Sequence, residues 1–206
     1  MQAITDLIMY FQKGGLVMWP LLACSITVIA IAIERFIYYK SVDSGAAFAS
    51  RYCAAVRSGD FAVATELARK GSGQCAQMLA DVAAIAGGKA EKSAFLESRA
   101  GIFMATLRDK LDYLGIIVTM SPLLGLLGTI VGMIGAFSIF NVEAGAPMAI
   151  TGGIGEALIA TATGLCVAIL SLCAHSYFAH RMDNMITDME QCFSALLEAE
   201  TRRARS

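Results

Sequence analysis

Charge is what this sequence has least of. Of its 206 residues, 16% are Asp, Glu, Lys or Arg and 57% are apolar, against roughly 25% and 45–50% in soluble domains. That balance excludes a disordered chain, which carries more charge and fewer apolar groups. The net charge of −1 offers no bulk attraction to nucleic acid. Six cysteines, at 24, 53, 75, 166, 173 and 192, form no Cys-x-x-Cys pair, and no histidine stands at metal-finger spacing. They read as reduced, small apolar groups rather than a disulfide scaffold. Histidine is scarce too. His175 and His180 are five residues apart near the cytoplasmic end, off the common helix face a metal pair would share, and read as interfacial packing. No phosphate loop or dinucleotide fingerprint occurs. Ser171 and His175 stand four apart like a nucleophile and its base, but no third group or oxyanion donor accompanies them, so no enzyme chemistry is expected. No metal site or cofactor is expected either.

What the sequence does have is long stretches without charge. Twenty residues separate Lys13 from Glu34, thirty separate Asp112 from Glu143, and thirty-seven separate Glu143 from Arg181 with Glu156 the one interruption. A bilayer core needs roughly 20 helical residues. The first run just spans; the other two exceed a span. The first run does not read as a signal peptide: one lysine precedes it, Pro20 sits inside it and Glu34-Arg35-Phe36 follows it. Trp19 and Tyr38-Tyr39 lie at its ends, where interfacial aromatics belong.

Lysine and arginine set the expected orientation. Lys13 is alone at the N-terminus, residues 141–150 have none, residues 40–110 have ten and the tail from Arg181 has four. The positive-inside bias predicts an external segment 1–15, spans at 16–39, 111–140 and 151–180, a cytoplasmic helical segment 40–110, an external loop 141–150 and a cytoplasmic helical tail 181–206. The fold class is therefore an all-α membrane protein of three transmembrane helices, the second and third extended into the cytoplasm as a helical bundle. Turns are expected at 41–45, 58–59, 71–73 and 87–88, with Asp60 capping a helix that runs to Lys70. Residues 89–112 should run into the second span without a break. Apolar groups at helical spacing in the tail, among them Phe178, Met182, Met185, Met189 and Phe193, read as bundle packing.

Two spans carry ribbons of small residues, Gly128, Gly132 and Ala136 in the second and Ala160, Gly164 and Ala168 in the third. Such ribbons let backbones approach closely where lipid supplies no hydrophobic drive, within the chain and between copies of it. Glu156 is the sharpest signal. A carboxylate in an apolar span faces protein or water and marks an ion pathway by default. Two structural roles stand beside that one: a place near the outer interface, or a hydrogen bond to a neighbouring helix. Thr163, seven residues on, returns within roughly 20° of the Glu156 face, whereas Thr161 is rotated by about 140°. Thr129 is the corresponding polar group of the second span. Each hydroxyl either bonds back to its own helix or orders water beside the carboxylate.

The stretches 121–137 and Gly155-Glu156-Ala157-Leu158-Ile159-Ala160-Thr161-Ala162-Thr163-Gly164-Leu165, with the exit Ile33-Glu34-Arg35-Phe36, resemble the ExbB/TolQ/MotA proton-channel family. Three spans with an external N-terminus look like its ExbB/TolQ branch. The resemblance spans roughly residues 12–200. It implies a multi-pass subunit of a bacterial inner-membrane motor, with a periplasmic N-terminus and a cytoplasmic C-terminus. It implies a ring of five copies around a single-span ExbD/TolR-like partner, driven by proton flow and working on a TonB/TolA-like transducer or another envelope system. In such members the pore-facing residues map onto Glu156, Thr161 and Thr129. One departure stands out: members often have a proline after the Ala-Ile of the third span, and here Ala168-Ile169 precedes Leu170, so no kink is assumed there.

Two other readings of the same residues remain. In one, the small-residue ribbons build an oligomeric membrane scaffold that conducts nothing. In the other, the motor runs on sodium, since hydroxyls and a carboxylate suit both ions.

Overall fold

A computed structural model describes Met9, Phe11 and residues 13–142 and 147–203, without the side chains of 138–142 and 147–150. Most of the expected external segment 1–15 and the centre of the expected loop 141–150 lie outside the described residues. Among the described residues, seven helices with defined bounds follow in order: α1 (Met18–Val42), α2 (Ala46–Arg57), α3 (Phe61–Lys70), α4 (Gln74–Ala83), α5 (Lys89–Arg108), α6 (Leu111–Val142) and α7 (Pro147–Arg203). No strand occurs among the described residues. Among the described residues, three stretches of helix are long and apolar enough to cross a membrane, and the chain is an all-α membrane protein. The chain divides into two compact units, one of Met1–Ile33 with Asp112–Ser176 and one of Glu34–Leu111 with Tyr177–Ser206.

The first unit holds the charge-poor runs. Each of its helices exposes large aliphatic side chains, among them Ile26 and Ile29 on α1, Leu123 and Ile134 on α6, and Leu158 and Ile169 on α7. In water such faces would have to be covered; in lipid they are the solvated surface. The interior between α6 and α7 is built from small residues instead. Gly164 lies against the Ser121 carbonyl and Gly125, Gly125 against Thr161, Gly128 against Ala160, Gly132 against Ala157 and Gly153. These pairings run in opposite directions along the two helices, an antiparallel seam with too little room for most side chains. Phe11, Leu124 and Ile159 pack around Val17, Met18 and Leu21 where α1 begins.

The second unit is a conventional amphipathic bundle. Asp60 caps α3 by accepting a hydrogen bond from the Val63 N–H at 3.1 Å, which satisfies one of the helix's orphan donors. Gly73, with φ of 88°, turns the chain into α4, a conformation that costs a residue with a Cβ far more. Tyr52, Leu79, Val82, Leu96, Met189 and Cys192 are buried in the core, and full burial of such an aliphatic side chain is worth about 1.5–3 kcal/mol. The Cys53 and Cys192 sulfurs lie 3.9 Å apart, and burial pushes the Cys53 thiol up to about 11. Lys92 and Glu200 pair at 2.8 Å, both largely shielded.

The expected run from residue 89 into the second span forms as one long helical stretch whose ladder is interrupted for two residues, the backbone staying α-helical at Asp109. Asp109 and Lys110 are a turn between α5 and α6. The reason lies on α1. The Arg35 guanidinium donates to the Thr106 carbonyl at 3.0 Å and to Leu107 at 3.4 Å, and the Tyr39 hydroxyl donates to Leu107 at 2.8 Å. Those carbonyls would otherwise accept from the N–H groups of residues 110 and 111. Side chains inserted into the ladder interrupt it, and a cation at the end of α5 favours that end. Glu34 balances the charge, 2.8 Å from Arg35 and 3.5 Å from Lys110.

Candidate functional site

Glu156 stands on α7 in the first unit, half-buried. Among the described residues no donor reaches its carboxylate. Its close neighbour is backbone: Gly15, in the turn ahead of α1, has φ of 71°, and a Cβ there would run into the Glu156 carboxylate. Gly14 beside it lies against Met18 and Ile159. The Gly14-Gly15 turn thus covers the α7 face on which Glu156 and Ile159 stand one turn apart.

The threonines fall differently. Thr161 faces α6, with its hydroxyl 3.1 Å from the Gly125 carbonyl and 3.1 Å from the Ala157 carbonyl of its own helix. Thr163 donates to the Ile159 carbonyl at 2.8 Å, and Thr129 to the Leu126 carbonyl at 2.6 Å. In each case the hydroxyl hydrogen is committed to a carbonyl, and only oxygen lone pairs remain. Such groups accept from water or face a cation; they have no proton left to donate to an anion. Glu156 and Thr161 therefore lie on different faces of α7, the one toward the N-terminal turn and the other toward α6.

The packing residues sit in the seam. Gly128 meets the Ala160 methyl so closely that no Cβ fits between them, and Val17 approaches from α1's start at 3.7 Å from the same point. Ala160 is fully buried, and Ala168 is 8% exposed. Sequence reading did not single out Gly125, Gly153 or Gly15 as positioning residues, although the Gly14-Gly15 pair ahead of the first apolar run was a visible signal. It also passed over Ser121, whose hydroxyl is fully buried and has no hydrogen-bond partner among the described residues. Ser121 immediately precedes Pro122, which cannot donate to the helical ladder. Ser171, four residues from His175, is also fully buried and donates to the Leu114 carbonyl at 2.9 Å. That bond joins α7 to α6. Among the described residues no group of three or more His, Cys, Asp or Glu could hold a metal ion.

Comparison with known proteins gives this helical membrane protein its family. The model of the MotA/TolQ/ExbB proton channel family matches residues 72–191. A Synechocystis protein named as the biopolymer transport protein ExbB-like 3 is 31% identical over 166 residues, 78% of this chain and 79% of its own length. The biopolymer transport protein exbB1 of Vibrio cholerae is 27% identical over 87% of this chain and 82% of its own. The Tol-Pal system protein TolQ of Pseudomonas aeruginosa is 36% identical over 81 residues, 39% of this chain and 35% of its own. The chain belongs to the MotA/TolQ/ExbB proton channel family. It is accordingly a membrane transport energiser and not an enzyme. The family match starts at residue 72, beyond the Ile33–Phe36 exit of the first run.

Proposed function

We propose that this chain is the channel subunit of an inner-membrane motor that converts the proton-motive force into mechanical work. It would act with an ExbD/TolR-like single-span partner on a TonB/TolA-like transducer or another envelope system. Copies of the chain form a ring, five by family resemblance, with the N-terminus periplasmic and the C-terminus cytoplasmic. Glu156 is the carboxylate of the ion pathway, and Thr161, Thr129 and Thr163 contribute oxygen lone pairs to it. Gly128, Gly132, Ala160, Gly164 and Ala168, expected to pack helices and copies alike, are all buried within this chain and hold its own helices together, so contacts between copies fall to other residues.

The observation that carries this reading is Glu156: a carboxylate in an apolar run of a proton-channel-family chain, with no described donor to neutralise it. Left uncompensated, such a group costs several kcal/mol, and an oligomer or partner that supplies water or a counter-charge relieves that cost. The separation of Glu156 from Thr161 on α7 fits a helix lining a pore at a boundary between copies, where more than one face meets the lumen. The energy scale is sufficient, since one charge crossing about 100 mV releases roughly 2.3 kcal/mol.

Native mass spectrometry of the tagged chain, extracted in mild detergent with everything bound to it, tests the assembly. The expected species is a ring of this chain holding a small single-span protein with an acidic residue in its span. A ring without any such partner contradicts the motor and favours the scaffold reading.

A further inference from the structure

We propose that the second unit carries a binding site for the phosphate headgroup of an anionic membrane lipid, formed by Lys40 and Arg181. Lys40 lies in the last turn of α1, and Arg181 is the first formal charge after the third apolar run. The two cations line a cavity of about 210 Å³ whose other walls are Phe36, Tyr39, Tyr177 and Phe178. One water needs about 10–15 Å³ of such space, so the hollow takes several waters, enough for a phosphodiester and the carbons next to it. No carboxylate lines it.

The walls are fixed and the cations are not fully used. Tyr39 and Phe178 are buried and meet edge to face at 5.6 Å, and Tyr177 meets Phe178 at 5.2 Å. Lys40 is exposed and pairs with no carboxylate among the described residues. The Arg181 guanidinium donates to Asp43 at 3.1 Å and to the Tyr177 hydroxyl at 3.5 Å, yet its Nε is buried without a partner among the described residues. Three carboxylates oppose an anion here: Asp183, whose charge is felt at the Tyr39 wall, and Asp43 and Asp188. Asp43 and Asp188 line a neighbouring cavity with His180 and Asn184, and Arg181 and Tyr177 border both cavities. Arg181 is thus only partly engaged by an acid and also borders an aromatic, cation-lined hollow.

Cationic pockets where helices leave a bilayer recruit anionic headgroups, and the aromatic rings suit the amphipathic zone between headgroup and chain. The exposed Phe36 lies one turn before Lys40 on α1, a surface for the lipid's apolar part. A soluble phosphate shares the headgroup chemistry but has no use for that ring. The inference needs only that the apolar runs span the membrane, so it stands apart from the ion pathway.

The complex purified from membranes is reconstituted with equal amounts of phosphatidylglycerol and phosphatidylcholine and then stripped stepwise by detergent. Retained lipid is counted by native mass spectrometry. The wild type is expected to hold phosphatidylglycerol preferentially, and Lys40→Gln and Arg181→Gln each to lose about fivefold of that preference. Lys89→Gln, an exposed lysine on α5, should keep it. Lys40→Gln removes an exposed, unpaired side chain, so its effect is readable even if Arg181→Gln fails to fold. Equal retention of the two lipids by the wild type overturns the proposal, as does an undiminished preference in Lys40→Gln. Displacement of the bound lipid by millimolar orthophosphate overturns the lipid as the source and assigns the site to a soluble phosphate.

Discussion

Gly128 on α6 and Ala160 on α7 approach until the space of a single Cβ is gone. That contact is the tightest expression of a seam in which each helix supplies small residues at positions facing the other. Without a hydrophobic drive in lipid, close backbone approach and dispersion hold such helices. The seam also fixes which face of α7 is turned to α6, and hence that Thr161 points one way and Glu156 another.

The seam is sharply position-dependent. Gly164→Ala would place a methyl 2.5 Å from the Ser121 carbonyl, whereas a methyl at Gly155, also on α7, meets nothing within 4 Å. Overpacking costs about 1–3 kcal/mol. Thermal unfolding in detergent should show Gly128→Leu and Gly164→Ala clearly destabilised and Gly155→Ala near wild type. Equal effects at all three would mean that helix propensity, not the seam, is being read.

Arg35 should be worth more than an ordinary charged side chain. It is 4% exposed and holds the Thr106 and Leu107 carbonyls. Hydrogen bonds from a charged donor contribute about 1.5–3 kcal/mol, and Arg35→Met gives them up. Arg35→Lys keeps the charge but not the fork, so it is expected to fall between. Tyr39→Phe loses one neutral bond, about 0.5–1.5 kcal/mol. Denaturant unfolding of the three variants should return that order.

Gly15→Ala tests the contact beneath Glu156. Its φ of 71° is unfavourable for alanine, and the added methyl meets the carboxylate. The variant should impair ion flux in the same direction as substitution of Glu156 while the complex still assembles. Normal flux from Gly15→Ala would show that the turn does not set the carboxylate's position.

Asp188 gives the second unit a pH response. Burial first, and the negative charge of Asp43 second, hold its carboxyl above the usual value of 3.8. The folded chain therefore binds this proton more tightly than the unfolded chain does. Its contribution is full below the ordinary carboxylate range and is lost as pH rises through the raised native value. Asp188→Asn should flatten that decline and raise the melting temperature relative to wild type at pH values above the raised native value. A variant that melts lower at every pH would show that the carboxylate makes stabilising contacts instead.

Charge-free length was enough to read three apolar helices, because a bilayer demands length and composition and little else. The turns at 43–45, 58–60 and 71–73 were legible from glycine and Asp60, whose effects are local. The break at Asp109-Lys110 was not. Its cause is Arg35, more than seventy residues away in sequence, and no local pattern announces a side chain that takes a distant helix's carbonyls. The site divides the same way. Glu156 stands out because a lone carboxylate in an apolar run is conspicuous. Gly15 does not, because its part depends on a contact between segments some 140 residues apart.

The most direct test is proton flux. The native complex, purified with its partner, is placed in liposomes under an inward pH gradient and potential, and acidification of a trapped dye is followed. Wild type should conduct, and Glu156→Gln should lose at least about tenfold of that flux, about 1.4 kcal/mol of barrier, with the complex intact by mass. Undiminished proton flux through an intact Glu156→Gln complex would contradict the role given to this carboxylate.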